Sequence, residues 1–132
     1  MTVRVGSAFF CDDVRIEKSE KNIYVGVYTG TMIMQNNEEA VFLRLVTTVM
    51  SDGAARGNFE VRVRIDDKEI ASAENTYEIR QRGIGHFIFP PLQVGPLERE
   101  CALIVEMQLD GRGWEEANYT SITFATMQSP VH

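Results

Sequence analysis

Phe59-Glu60-Val61-Arg62-Val63-Arg64-Ile65-Asp66 is the stretch whose reading decides the fold class. Phe59, Val61, Val63 and Ile65 point one way, while Glu60, Arg62, Arg64 and Asp66 point the other. That is the period of a strand with one dry face and one wet face. Cys101–Leu109 repeats it, with Cys101, Leu103, Val105, Met107 and Leu109 set against Ala102, Ile104, Glu106 and Gln108. The two inward sets are expected to meet in one core.

Outward from these, residues 40–50 place Val41, Leu43, Leu45, Thr47 and Val49 on one side and Phe42, Arg44, Val46 and Thr48 on the other. Residues 51–58 carry Asp-Gly and Gly-Asn turn steps, so 40–50 and 59–66 read as an antiparallel pair. Near the N-terminus, 8–17 and 23–28 flank the all-polar turn 18–22. Gly26 in mid-strand marks a bulge or a close backbone approach. Thr31–Met34 resumes the strand pattern as far as the polar loop 35–39. Asp110-Gly111-Arg112-Gly113 is a hairpin turn signal leading to a last strand at 121–127, with Trp114 and Tyr119 flanking the loop. Residues 85–89 form a short strand ended by Pro90-Pro91. In 67–83, a tight turn into a short strand near 70–73 is favoured over the helical spacing of Ile70, Ala73 and Tyr77. The sum is an all-β chain, an antiparallel β-sandwich of seven to nine strands and immunoglobulin-like, forming one domain over 1–132. An antibody-type domain is excluded, because Cys11 and Cys101 lie too far apart and Trp114 follows the second.

Composition agrees. The chain has 132 residues, 44% apolar and 24% charged, with 13 Lys and Arg against 19 Asp and Glu. A net charge of −6 argues against phosphate-backbone binding, so no nucleic acid is expected. No apolar run approaches the roughly 20 residues that cross a bilayer, and the N-terminus does not read as a signal peptide. A soluble, cytoplasmic protein without a membrane partner is expected. Cys11 and Cys101 read as reduced core thiols, and a disulfide between them is left open.

Chemistry is sparse. There is no Gly-rich phosphate loop and no Ser in a nucleophile-elbow context. His86 begins an apolar strand and reads as structural, and His132 is terminal. The doublets Asp12-Asp13, Asp66-Asp67 and Glu115-Glu116 diverge on a strand, so they read as turn and edge charges rather than a metal site. Arg44, Arg62 and Arg64 form a possible anion patch, for which cross-strand pairing with Glu60 and Asp66 is the simpler account. No cofactor and no metal are expected.

The segments Phe10-Cys11-Asp12-Asp13-Val14-Arg15-Ile16-Glu17 and Lys21-Asn22-Ile23-Tyr24-Val25-Gly26-Val27-Tyr28-Thr29-Gly30 resemble the opening hairpin of a family of small bacterial and phage-related β-sandwich proteins with no assigned activity. The resemblance covers about thirty residues and implies a source and a sandwich, not a site. The same hairpin is a candidate binding edge.

The expected function is therefore a non-catalytic protein-binding or assembly domain, with a protein partner or a second copy as its ligand. The alternatives are a small enzyme using His86 with a nearby carboxylate, and a calcium-dependent C2-like sandwich. The expected interface is Tyr24, Tyr28, Phe42 and Val46, which face outward if Ile23, Val25, Val27, Leu43 and Leu45 are core. The competing account has the 35–39 loop or Pro90-Pro91 covering that face within one chain.

Overall fold

The structure, a computed structural model, describes residues 2–18 and 21–125. Ser19 and Glu20 of the expected turn, residues 126 and 127 of the last expected strand, and His132 lie outside the described residues. Ten strands follow in chain order: β1 (Val3–Ile16), β2 (Asn22–Val27), β3 (Thr31–Met34), β4 (Val41–Ser51), β5 (Ala55–Ile65), β6 (Lys68–Ile79), β7 (Gly83–Ile88), β8 (Leu92–Val94), β9 (Cys101–Leu109) and β10 (Glu115–Phe124). They form two five-stranded sheets. Sheet one runs β2-β1-β4-β7, with β8 also on β4, and sheet two runs β3-β10-β9-β5-β6. The β3–β10 pair is parallel, and the other pairs are antiparallel. No helix of the described residues is long and apolar enough to cross a membrane.

The count exceeds the seven to nine expected because Pro90-Pro91 interrupts a ladder instead of ending it. β7 pairs with β4 up to Val46↔Ile88, and β8 resumes on β4 at Leu43↔Leu92. The tight turn and the strand favoured in 67–83 are present, but the strand is long where a short one near 70–73 is expected: β6 runs Lys68–Ile79. Ile65 and Lys68 close a two-residue turn in which Asp66 takes the left-handed conformation. Asp66 Oδ1 also accepts the Ala102 amide at 3.0 Å, which fixes the turn to β9.

One pairing is corrected. The strands containing 40–50 and 59–65 are not partners, because β4 lies in sheet one and β5 in sheet two. Asp52-Gly53 carries the chain from one sheet to the other, and β5 pairs with β6 and β9. The shared core does form: Phe59, Val61, Val63, Leu103, Val105, Met107 and Leu109 are buried together with Phe10, Leu43, Leu45 and Val49 from sheet one. Cys11 and Cys101 are free thiols on different sheets, so the open disulfide is absent.

Candidate functional site

The outward side of sheet one is apolar through its centre. Register places Phe9, Val46 and Ile88 in one row across β1, β4 and β7, and Met50 beside Ile84 in another. Because Leu45 and Val49 face the core, Val46, Thr48 and Met50 must face away from it. Val46 is nevertheless 0% exposed. Half-buried Phe9 and Ile88 close over it from both sides, so the expectation of Val46 as an exposed contact is corrected: the side is right, the accessibility is not. Phe42 stands as expected, 64% exposed.

The second correction concerns β2. Ile23, Val25 and Val27 are 41%, 37% and 45% exposed, whereas Tyr24 and Tyr28 are half-buried. The tyrosines have partners that the aliphatic residues lack. Tyr24 packs edge-on against Phe9, with ring centroids 5.0 Å apart. Tyr28 rests on the core, and its hydroxyl donates to Asp12 Oδ1 at 2.7 Å. Burial and that hydrogen bond raise its pKa to about 12. Gly26 lies between them at φ 68, where a side chain would be strained and would also collide with the Asp12 carboxylate. Thus β2 ends sheet one as an edge strand that shows its aliphatic residues to solvent and, among the described residues, has β1 as its only strand neighbour.

Neither segment covers Phe42, which keeps most of its ring in solvent. Pro90 and Pro91 line a 210 Å³ apolar cleft with the inward residues Leu45, Val61 and Val63. In the 35–39 loop, Glu39 Oε1 accepts the Gln35 amide and Asn36 Oδ1 the Glu38 amide.

The other expectations resolve locally. His86 is exposed opposite Thr48, which is bound to Ser7, with Ile84 and Ile88 as its same-face neighbours on β7. Burial pushes the Cys11 thiol up, the opposite of an activated nucleophile. Arg62 and Arg64 do form cross-strand pairs, though with Glu106 on β9 instead of Glu60 and Asp66 side chains. Both Nε atoms donate to Glu106 Oε1, at 2.8 and 2.7 Å. Arg64 also donates to the Asp66 carbonyl, and Arg62 lies 4.1 Å over the Trp114 ring. Arg44 belongs to the other sheet and donates to the Phe89 carbonyl at 2.9 Å. Among the described residues, no three His, Cys, Asp or Glu side chains gather as a metal site.

No family model matches the chain, and no curated protein does. One similar solved structure is a β-glucosidase from Erythrobacter marinus, with a TM-score of 0.46 and 8% identity. The match covers 92% of this chain and 15% of that one, so the chain spans about a seventh of the enzyme's length. A likeness at that level carries no argument about fold or chemistry.

Proposed function

We propose that this chain is a non-catalytic protein-binding and assembly domain that docks through the open β2 edge of sheet one. The observation that carries the reading is an edge strand with Ile23, Val25 and Val27 in solvent and no charged side chain between Asn22 and Val27. An edge leaves a row of backbone donors and acceptors without strand partners, and an added strand satisfies them. Apolar side chains flanking that row add burial to the main-chain bonds. Phe42, on the outward side of β4, adds a further exposed apolar side chain to the same sheet. The immunoglobulin-like variety of sandwich, the bacterial or phage-related family and the cytoplasmic setting belong to this proposal. The length, the two facing sheets and the opening hairpin support them.

Amide hydrogen exchange tests the reading. The amides of 22–27 should exchange at least about tenfold more slowly at high protein concentration or in a concentrated host extract than in dilute buffer. Equal rates in all three conditions would overturn it.

A further inference from the structure

We infer that the occupant of the β2 edge is a second copy of this chain, paired antiparallel across a two-fold axis; this rests on the reading of that edge as a docking site. The hairpin β1–β2 has a charge gradient along its length. In sequence its outer end, 15–21, holds Arg15, Lys18 and Lys21 against Glu17 and Glu20, and its inner end holds Asp12 and Asp13, with Arg15 Nε 3.7 Å from Asp13 Oδ2 where the two meet. Antiparallel pairing lays the basic end of each hairpin beside the acidic end of the other, whereas parallel pairing sets like charge against like. A two-fold axis applies the same match twice.

The sequence of β2 also fits itself. Gly26 in the left-handed region interrupts the regular strand, which leaves 22–25 as the uninterrupted run. Centred on Tyr24, two such runs place Ile23 opposite Val25 of the other copy on both sides of the axis. Aliphatic β-branched pairs of this kind are the unit that stabilises sheets. Lys21 then falls opposite Val27 of the second copy, beside the hairpin end that bears Asp12 and Asp13. The edge also carries no charge and no proline between Asn22 and Val27. Within that run 23–25 pair across the axis, three residues per strand, so the contact is small and the dimer weak, with a Kd on the order of 100 µM.

Sedimentation equilibrium of the purified full chain from about 10 µM to 1 mM reads this directly, with a concentration-dependent dimer expected. Val25→Lys should raise the Kd at least about tenfold, since it puts two cations on one axis-proximal row. Lys21→Asp alone and Asp13→Lys alone should each weaken the dimer several-fold, and the double variant should recover most of the loss, because the reversal restores complementarity. Circular dichroism melts of each variant separate a lost contact from a lost fold, and these residues are exposed. A wild-type chain that stays monomeric at 1 mM, or a dimer indifferent to Val25→Lys and to the charge exchange, overturns self-pairing. If the purified chain is monomeric while 22–27 is still protected in host extract, self-pairing fails and docking of another protein stands. If neither occurs, both fail.

Discussion

The two sheets finish their outward sides in opposite ways. On sheet two the central row is Arg62 and Arg64 held on Glu106, with Trp114 stacked on Arg62. On sheet one it is Phe9, Val46 and Ile88. Their outer strands differ in the same sense. The edge strand β6 exposes Lys68, Glu69, Glu74 and Glu78, while β2 exposes Ile23, Val25 and Val27. Both sheets bury one face in the same core, so core packing does not explain the difference. Charge on an edge repels a further strand, and apolar side chains there invite one. Charge guards the β6 edge and not the β2 edge, while the short β3 edge of sheet two is uncharged and exposes Ile33.

Breaking the comparison begins at Val46, where the largest effect is expected. If the outward face of sheet one is dry at its centre, Val46→Ser should cost about 3 kcal/mol, combining lost burial with a hydroxyl that has no partner. Urea denaturation measures it. A loss below roughly 0.5 kcal/mol would place Val46 with ordinary surface residues and dissolve the contrast.

Glu106 probes the other face. Glu106→Ala leaves two half-buried guanidinium groups without their shared acceptor and should cost about 2 kcal/mol, less than in a dry site because both arginines keep some water. The hydrogen bond from Arg62, then the one from Arg64, hold the Glu106 carboxyl below its ordinary value near 4.5, against the opposing pull of burial. A lowered pKa means a stabilisation complete above that ordinary value and lost as pH falls through the folded value. Acid titration of stability should therefore show a shallower loss below pH 4.5 in Glu106→Gln than in the wild type. Identical acid limbs would show that the arginines gain nothing from the charge.

These residues also show what could be read in advance. The alternation is strict at 59–65, with charges on the wet side, and holds at 101–109 through Glu106 and Gln108 although Ala102 and Ile104 are buried; both strands and their common core follow from it. The β4 segment is apolar on both faces, so the pattern gave its inward side but not its partners, which lie far away in sequence at β1, β7 and β8. In β2 both alternating sets are apolar or aromatic, and the choice between them rests on Phe9 and Asp12, residues of another strand. Alternation alone therefore points Tyr24 and Tyr28 outward, where the fold half-buries them. Glu115 and Glu116 hid the start of β10, since two adjacent acids read as a loop until Met107 and Glu106 are placed beside them. Phe42 was legible because its inward neighbours Val41 and Leu43 left it one direction.

Thr47 sharpens the comparison from inside β4. Its position alternates with Val46, and its buried hydroxyl finds no hydrogen-bond partner among the described residues. Thr47→Val keeps the shape and removes the orphan oxygen, so it should stabilise the chain by about 1 kcal/mol. A thermal melt that moves downward would mean the hydroxyl is satisfied after all.

The smallest effect is expected at Phe42, and it decides whether the outward face of sheet one is free within the chain. Phe42 pairs across to Gln93 on β8 with most of its ring in solvent, so folding gains little from it. Phe42→Ser should change stability by less than about 0.5 kcal/mol, as exposed positions usually do. Combining it with Tyr24→Ser would blur the result, because Tyr24 packs on Phe9 and its loss reaches the row that covers Val46. The single change keeps fold and surface apart. If urea midpoints of wild type and Phe42→Ser coincide, the ring has no folding role and its exposure is available to a partner. A loss of 2 kcal/mol or more would mean that some segment of the chain covers Phe42 in solution, and the contrast between the apolar outward side of sheet one and the charged outward side of sheet two would fail at its most exposed residue.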